Sequence, residues 1–336
     1  MIIVTGGAGF IGSNLVKALN QEGIENIMVV DNLTNAEKIK NLADLKIVDY
    51  MDKHEFYDFM IDGRKFYSVS AVFHQGACSD TMETDGEYVL HNNFTYSKEL
   101  FQFSKRHQAQ FIYASSASVY GSGSVFVEQP ENESALNAYA WSKLLFDNYI
   151  RNQKSVDIRI DIPIDIQCVG LRYFNVYGPR EFHKGRMASV AWHCYNQYKE
   201  DQNVRLFSGS DGYNDGQQVR DFVYVDDVVG VNLFLLKNPG VSGLFNVGTG
   251  RCQSFNDVAL AVVNACRQSL DKEMLTLAEA IAKKEITYVA MPDALIGKYQ
   301  SYTQADLSKL KSTGFNGSFD NVNQGITKYI SCLSTA

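Results

Sequence analysis

The stretch that decides the fold lies near the start of the chain and reads Thr5-Gly6-Gly7-Ala8-Gly9-Phe10-Ile11-Gly12. It follows the apolar run Ile2-Ile3-Val4, which predicts a buried strand, and it leads into a pattern that predicts a helix from about Ile11. The glycines are spaced as GxxGxxG. Glycines at this spacing allow a tight turn, close approach of the backbone to a diphosphate and close packing of helix on strand. The stretch therefore predicts a dinucleotide-binding site.

Beyond this turn, short β-branched runs alternate with helical patterns, which is typical of βαβ units on a parallel sheet. The predicted strands of this half are Ile2–Thr5, Ile27–Asp31, Lys46–Asp49, Ala71–His74, Phe111–Ser115 and Cys168–Phe174. The predicted helices include Tyr96–Arg106 and Ala138–Arg151. Later patterns predict helices at Ala188–Tyr198, Val228–Leu236 and Phe255–Arg267, and strands at Gln218–Tyr224 and Leu244–Val247.

These patterns predict an α/β protein: a Rossmann-like, doubly wound parallel sheet with a second, smaller mixed α/β substrate domain. Residues 1–174 are predicted to bind the dinucleotide, with residues 218–247 returning to that domain. Residues 175–336 are predicted to form mainly the substrate-binding domain, interleaved with the first.

Composition excludes several classes of protein. Of the 336 residues, 45% are hydrophobic and 21% charged, as in ordinary globular proteins. The net charge of -7 lacks the basic character that nucleic-acid binding requires, so no nucleic-acid partner is expected. The six cysteines show no CxxC spacing, so neither a metal site nor a disulfide framework is predicted. The sequence lacks a signal-peptide pattern and a long apolar run, and we expect a cytoplasmic protein without a membrane partner.

Asp31 ends the second predicted strand, about 20 residues after the glycines, where a carboxylate accepts a hydrogen bond from the adenosine ribose 2′-hydroxyl. This carboxylate favours NAD, because it would repel a 2′-phosphate. Asn32, Lys38 and Lys53 lie in predicted loops near that ribose, and they favour NADP if they neutralise a phosphate. Solvent-facing lysines explain the pattern equally well, so the sequence leaves the choice of cofactor open.

The loop after the fourth predicted strand reads His74-Gln75-Gly76-Ala77-Cys78-Ser79 and is expected to pass beneath the cofactor. Asn92 lies on the helix that follows. Cys78 is interpreted as a packing thiol and not as a nucleophile.

Tyr139 and Lys143 stand four residues apart in Tyr139-Ala140-Trp141-Ser142-Lys143, so they share one face of a predicted helix. An ammonium about 4 Å from a phenol supplies roughly the 4 kcal/mol needed to bring the phenol pKa near neutrality. The pair is thus a candidate general base for an alcohol that loses hydride. An isolated YxxxK is more often a surface pair. We expect both residues near the edge of an apolar stripe formed by Trp141, Leu144, Leu145 and Tyr149.

Several segments together resemble the extended short-chain dehydrogenase/reductase family of nucleotide-sugar enzymes over nearly the whole chain. They are the glycine turn, the YxxxK pair, Ser115-Ser116-Ala117-Ser118-Val119-Tyr120-Gly121 and Arg172-Tyr173-Phe174-Asn175-Val176-Tyr177-Gly178-Pro179-Arg180. Within that family, residues 1–12, 50–53 and 74–79 and above all Glu181-Phe182-His183-Lys184-Gly185-Arg186-Met187-Ala188-Ser189 are similar to the ADP-heptose 6-epimerase branch. Residues 221–225, 245–250 and 302–306 add to this likeness.

The resemblance implies epimerisation at C6 of the heptose of an ADP-sugar, with tightly held NADP, for the inner core of lipopolysaccharide. It also implies an acid or base on each side of C6: Tyr139 on one face and Lys184 on the other. Lys184 follows a Gly-Pro corner beyond a strand end, where open α/β sheets bind ligands, although alone this segment would be a charged surface loop. Ser116 is expected to hydrogen-bond the reacting oxygen.

The resemblance further assigns two sets of contacts. The cofactor side consists of Gly6, Gly9, Phe10, Ile11, Gly12, Asp31, Asn32, Lys38, Lys53, Gln75, Gly76, Ala77, Cys78, Ser79, Asn92, Lys143, Val176 and Lys184. The substrate side consists of Ser116, Asn175, Arg186, His193, Phe207, Ser208, Gly209, Ser210, Arg220 and Tyr299. Arg220 is the strongest candidate for the diphosphate, since a guanidinium binds phosphate oxygens bidentately.

The chain departs from the family pattern in three places. Arg186 stands where a small serine is usual, and Ser155–Ile166 and Asp211–Gln218 are longer than expected. His193, on an apolar predicted helix, fits a core histidine equally well.

Three other functions compete with this reading. A UDP-sugar 4-epimerase shares Ser116, Tyr139 and Lys143 but needs no second base, so Lys184 in its motif argues against it. A 4,6-dehydratase is disfavoured by Ala117 and Ser118, which follow Ser116. A non-catalytic redox sensor would retain the cofactor fold but needs no base, so the presence of Ser116, Tyr139 and Lys143 together argues against it. The resemblance also implies a homo-oligomer, a pentamer among relatives.

Overall fold

A seven-stranded parallel sheet organises the protein in the computed structural model, which describes residues 1–66, 68–153, 166–292 and 302–334. Its strands are β1 (Ile2–Thr5), β2 (Ile27–Asp31), β3 (Asp49–Asp52), β4 (Ala71–His74), β5 (Gln110–Ser116), β6 (Cys168–Tyr173) and β11 (Gly243–Val247). The spatial order β11-β6-β5-β4-β1-β2-β3 reverses direction beside β1, and every pairing is parallel. This order is the Rossmann arrangement, and it confirms the predicted fold class.

Helices connect these strands across both faces of the sheet. The helices within the described residues are α1 (Phe10–Gln21), α2 (Lys53–Ile61), α3 (Gly86–Leu90), α4 (Tyr96–His107), α5 (Ala138–Gln153), α6 (Val190–Asp201), α7 (Val225–Lys237), α8 (Phe255–Gln268), α9 (Leu277–Ala282), α10 (Ser308–Ser312) and α11 (Val322–Ser334). Shorter 3-10 turns include Ala36–Asn41, Ala117–Tyr120 and Phe182–Met187, and a π turn covers His91–Thr95. None of the helices in the described ranges has the length and apolar character needed to span a bilayer.

The later half of the chain adds three small two-stranded sheets. They pair β7 (Asn175–Tyr177) with β10 (Phe222–Tyr224), β8 (Val204–Phe207) with β13 (Ile286–Val289), and β9 (Val219–Arg220) with β12 (Gln253–Ser254). A separate apolar core lies here, formed largely by α6, α8 and α11. The chain also returns to the large sheet, since β11 pairs with β6.

Apolar side chains cover the two faces of the large sheet. Ile2, Val4, Val29 and Phe73 pack on one face, and Ile3, Val30 and Val72 belong to the core on the other. Strands buried on both faces are expected to be almost continuously apolar, as these are. Their carboxyl ends lie along one edge of the sheet, where parallel α/β folds bind ligands.

Two predicted strands are wrong in detail. Lys46–Asp49 is not a strand: the backbone N–H and carbonyl of Lys46 bond to the Asn20 side chain, and the strand begins at Asp49. Gln218–Tyr224 is divided at Asp221, whose backbone N–H bonds to the hydroxyl of Thr303. In both cases a side chain distant in sequence takes the backbone group that a continuous strand would use.

Candidate active site

The turn between β1 and α1 fits a dinucleotide because it has no room for side chains. A Cβ atom on Gly12 would lie 2.2 Å from the carbonyl oxygen of Gly6. A Cβ atom on Gly6 would lie 2.5 Å from the backbone nitrogen of Gly76, in the loop after β4. The backbone can therefore approach a diphosphate at the N-terminus of the 12-residue helix α1, where the N–H groups favour an anion.

A cleft of about 510 Å³ opens at this turn, along the carboxyl edge of the sheet. Of the residues predicted to hold a cofactor, those that line it are Gly6, Gly9, Phe10, Ile11, Gly12, Asp31, Asn32, Lys38, Lys53, Gln75, Gly76, Ala77, Cys78, Ser79, Asn92 and Lys184. The structure thus brings together segments spread over more than half of the chain.

The cleft also contains residues that sequence reasoning missed, namely Val30, Asn35, Asp80, Glu83, Tyr88, Tyr96, His183 and Met187. Thr5 and His74, which begin the two segments predicted to meet the cofactor, line it as well. His74 lies between the hydroxyls of Thr5 (2.6 Å) and Ser97 (2.8 Å), and burial lowers its pKa to about 3. His183 and Met187 lie close to Lys184 in the motif that carries the family resemblance. Their closeness in sequence to Lys184 could have indicated that they line the cleft.

Asp31 is buried, and both oxygens of its carboxylate accept hydrogen bonds. One carboxylate oxygen accepts the N–H of Ala8 at 2.9 Å. The other accepts the ammonium of Lys38 at 2.5 Å and the N–H of Asn32 at 2.7 Å. Lys38 also donates to the backbone carbonyl of Asn32 at 2.8 Å. The charge of Asp31 is therefore neutralised within the protein.

Lys53 stands on the opposite side of the ribose end. Its ammonium donates to the Asn92 side chain at 2.7 Å, and no carboxylate within the described residues forms an ion pair with it. Burial lowers its pKa, against the attraction of Asp52 and Asp31. Lys53 is thus a cation with an amide partner, facing the cleft.

A second cavity of about 450 Å³ adjoins the cleft. It is lined by Thr81, Ser118, Gly121, Leu136, Asn137, Phe174, Asn175, Val176, Lys184, Met187, Ala188, Ser189, Val190, Arg220, Phe222 and Phe255. The Arg220 guanidinium lies 5.8 Å from the ring centroid of Phe255, and Asn175 is exposed at the cavity wall. Val176, predicted to contact the cofactor, lines this cavity and not the first.

Lys184 lines both the cleft and the second cavity. Its ammonium lies 5.2 Å from the ring centroid of Phe10 in the glycine turn. Burial lowers its pKa, and the nearby carboxylate of Glu181 opposes this shift. An amine with a lowered pKa at the junction of two cavities is suited to exchanging protons near neutral pH.

Ser116 shares a hydrogen bond with Tyr139, and Lys143 lies one helical turn after Tyr139 on α5. None of the three is in the lining of either cavity, but Ser118 and Asn137, two residues from the serine and the tyrosine respectively, line the second cavity. Burial raises the pKa of Tyr139, and a hydrogen bond with Ser116 opposes the shift. Burial lowers the pKa of Lys143 to about 8.

The predicted environment of this helix is wrong. Lys143 is only 5% exposed and donates to the backbone carbonyl of Ala114 at 2.8 Å, whereas Trp141 is 48% exposed. The face of α5 that packs on the sheet includes Lys143, Phe146 and Ile150. Burial of the phenol raises the pKa of Tyr139, and the contribution that lowers it is the hydrogen bond with Ser116, so the expected lowering of this pKa by Lys143 is wrong.

Other predicted substrate contacts are not in the lining of either cavity. Arg186 is 68% exposed in its side chain and forms an ion pair at 2.7 Å with Asp80, which lines the cleft. His193 lies on α6, and Phe207–Ser210 spans the end of β8 and the loop after it. Tyr299 lies outside the described residues, as does most of Ser155–Ile166.

The model of the NAD dependent epimerase/dehydratase family matches residues 2–248, which contain the glycine turn, the YxxxK pair and Lys184. The chain belongs to this family. The predicted family is thereby confirmed.

Individual relatives narrow the comparison. ADP-L-glycero-D-manno-heptose-6-epimerase of Thiobacillus denitrificans is 57% identical over 331 residues, which are 98% of each chain. The crystal structure of the Helicobacter pylori protein of the same name has a TM-score of 0.78 at 28% identity, covering 100% of this chain and 96% of that one. UDP-glucose 4-epimerase of Thermotoga maritima has a TM-score of 0.76 at 26% identity, covering 99% and 98%.

Proposed function

We propose that this chain converts ADP-D-glycero-β-D-manno-heptose to ADP-L-glycero-β-D-manno-heptose by epimerisation at C6, as part of the supply of precursor for the lipopolysaccharide inner core. The observation that carries the proposal is the position of Lys184 on the wall shared by the cleft and the second cavity. A 4-epimerase that turns its keto-sugar over does not require this amine. The 57% identical relative with that name supports the choice of substrate.

In this mechanism two protein groups flank C6. A bound nicotinamide would supply hydride transfer from and to the sugar carbon. Tyr139 serves one face of C6 and Lys184 the other: the deprotonated member of the pair takes the proton of the C6 hydroxyl when the carbon is oxidised, and the protonated member gives a proton to the carbonyl oxygen when it is reduced. The Ser116 hydroxyl hydrogen-bonds that oxygen throughout. Lys143 holds α5 against β5 through its bond to Ala114.

NADP is the cofactor in this proposal. A carboxylate at the ribose normally disfavours a 2′-phosphate, but Lys38 neutralises Asp31 here. Lys53 then supplies a further positive charge beside the same ribose, with the Asn92 amide as its hydrogen-bond acceptor and the Tyr88 ring centroid 6.0 Å away. A phosphate dianion is stabilised by such charge-assisted hydrogen bonds.

The sugar nucleotide is proposed to occupy the second cavity. Arg220 is suited to the diphosphate, because a planar guanidinium binds phosphate oxygens in pairs. The exposed amide of Asn175 is suited to a sugar hydroxyl. The exposed Arg186, held by Asp80, is left out of this site.

We also infer how the chain is divided between its two ligands. Residues 1–174 with 218–247 bind the cofactor, and 175–336 mainly bind the sugar nucleotide. The chain forms a homo-oligomer, a pentamer by resemblance, and acts in the cytoplasm.

The decisive experiment incubates purified protein with ADP-D-glycero-β-D-manno-heptose and follows the C6 configuration by NMR. We expect an equilibrium mixture of the two C6 epimers and co-purified NADP. UDP-glucose is incubated in parallel. Conversion of UDP-glucose alone would establish the 4-epimerase, and bound cofactor without conversion of either sugar would establish the sensor.

A further inference from the structure

A buried asparagine ties the segment before Lys184 to the loop at the ribose end of the cleft. Asn41 ends the 3-10 turn Ala36–Asn41 and is 1% exposed. Its side-chain nitrogen donates to the carbonyl oxygens of Ala8 at 3.1 Å and Arg180 at 3.0 Å. It also lies 3.3 Å from Nδ1 of His183. One amide therefore touches the glycine turn, the ribose loop and the segment that leads into Lys184.

Contacts in the reverse direction reinforce this link. Arg180 donates to the backbone carbonyl of Asn41 at 2.5 Å and forms an ion pair with Asp44 at the same distance. Asn35 donates to the carbonyl of His183 at 3.4 Å. These residues are more than 130 positions apart in sequence, so the contacts exist only in the folded chain.

Two features of the contacts between Asn41 and the segment before Lys184 lower the stability of the folded protein. Arg180 has a φ of +73°, a left-handed conformation that a residue other than glycine keeps only where its surroundings hold it. The Oδ1 atom of Asn41 is buried without a hydrogen-bond partner in the described part of the chain. A buried unpaired oxygen is unfavourable, so the amide is better explained by placement of the segment than by stabilisation of the fold.

Glu181, the residue after Arg180, fixes the same segment through a second set of contacts. The buried carboxylate of Glu181 accepts the backbone N–H and the hydroxyl of Ser189, both at 2.6 Å, and the hydroxyl of Tyr329 at 3.0 Å. The backbone N–H of Lys184 bonds to the carbonyl of Glu181 at 3.0 Å. Lys184 thus lies on a short turn with Glu181 anchoring one side and Asn41 connecting it to the cofactor loop.

We propose that Asn41 is a positioning residue that couples the ribose end of the cofactor cleft to Lys184. Lys38 of the ribose-binding loop stands one 3-10 turn before Asn41, so the loop that receives the ribose also sets the place of the amine. The inference rests on the proposed function, because the amine matters only if it exchanges a proton with the sugar.

The test compares Asn41→Asp with the matched control Asn20→Asp in the cofactor-loaded protein. Asn41→Asp keeps the shape but replaces the donor with an oxygen that faces two carbonyl oxygens. Asn20 also donates to two backbone carbonyls, those of Ile24 and Lys46, each at 2.9 Å, but it lies in the last turn of α1 and neither carbonyl belongs to the segment that leads into Lys184. Acylation of each lysine by an amine-reactive ester is followed by peptide mass spectrometry, alongside kcat and KM for the ADP-heptose.

We expect Asn41→Asp to raise the acylation rate of Lys184 at least fivefold, with the exposed Lys283 unchanged in the same digest. We expect kcat to fall about tenfold with KM within twofold, and Asn20→Asp to change neither quantity. An unchanged Lys184 acylation rate in folded Asn41→Asp would overturn the coupling. If that variant does not fold, Arg180→Gln removes the reverse donor and is judged by the same criterion. Failure of the wild type to convert the sugar would instead refute the proposed function, while the acylation rates would still decide the coupling.

Discussion

The guanidinium of Arg172 and the carboxylate of Asp147 form an ion pair at 2.9 Å in which neither side chain is exposed. Arg172 belongs to β6, and Asp147 lies one helical turn after Lys143 on α5. The same carboxylate accepts the hydroxyls of Tyr113 at 3.0 Å and Ser115 at 2.9 Å, both on β5. The pair therefore holds the helix that bears the YxxxK motif against the two central strands behind the site.

Removal of one partner of this ion pair should strongly destabilise the folded protein. We expect Asp147→Ala to lower the free energy of unfolding by about 3–5 kcal/mol, because the buried Arg172 then keeps only Glu133 of its two carboxylate partners and the hydroxyls of Tyr113 and Ser115 lose their acceptor. The exposed pair Arg205–Asp201 serves as a control, and Asp201→Ala should change stability by less than about 1 kcal/mol. Urea unfolding measures both. Equal effects of the two substitutions would show that burial does not govern the pair.

Gly12→Ala should disrupt the turn that receives the diphosphate, because its Cβ would lie 2.2 Å from a backbone oxygen that cannot move independently. We expect at least a tenfold loss of cofactor affinity and a loss of about 1–3 kcal/mol in stability. Gly230→Ala is the control, since Gly230 lies within α7 with nothing within 4 Å of an added Cβ. That change should stabilise the protein by about 0.5–1 kcal/mol. Titration calorimetry and thermal unfolding provide the readouts, and unaltered binding by Gly12→Ala would contradict the model of the turn.

His74 should make stability depend on pH. Its pKa is lowered from 6.5 to about 3, so the unfolded chain binds a proton between these values that the folded chain does not. The stability contributed by the neutral imidazole is full above pH 6.5 and is lost as pH falls toward 3, by about 1.4 kcal/mol per pH unit. We expect His74→Gln to reduce the loss of stability between pH 7.5 and 5 in urea unfolding. A variant as acid-sensitive as the wild type would exclude this role.

Lys53 should contribute to discrimination between cofactors. Because a 2′-phosphate adds charge beside this ammonium, we expect Lys53→Met to weaken NADP binding at least tenfold and NAD binding less than threefold. The exposed Lys283 offers the control, since Lys283→Met should change neither affinity. Fluorescence titration with the two reduced cofactors measures the ratio. An equal loss for both cofactors would assign Lys53 to general attraction and not to the phosphate.

The proton-transfer roles of Tyr139 and Lys184 can be tested separately from cofactor binding. Tyr139→Phe and Lys184→Ala should each reduce the rate of epimerisation by about 10²–10⁴-fold, the usual contribution of a positioned acid or base. Both proteins should retain bound cofactor, as judged by absorbance of the released nucleotide. Lys283→Ala should behave as wild type. Near-normal turnover in both active-site variants would refute the two-base mechanism.

Much of the cofactor cleft is predictable because its residues follow individual strands. Asp31 ends β2, and residues 75–79 follow β4, so a local strand prediction already assigns them to the carboxyl edge of the sheet. The details that the sequence did not predict depend on distant partners. Arg186 forms an ion pair with Asp80, in the loop after β4, which no local pattern indicates. Likewise, the sequence offers no signal that β5 lies against Lys143 and takes its ammonium.

The amino-acid sequence by itself determined the parallel sheet, the glycine turn and the set of chemical groups, because these depend on short-range periodicity and on the absence of side chains at three positions. Only the tertiary structure decided how those groups are charged and held: Lys38 neutralising Asp31, Lys143 buried under β5, and Asn41 fixing the segment before Lys184. The physical reason is that pKa values and side-chain positions depend on burial and on partners distant along the chain, which local sequence patterns do not encode.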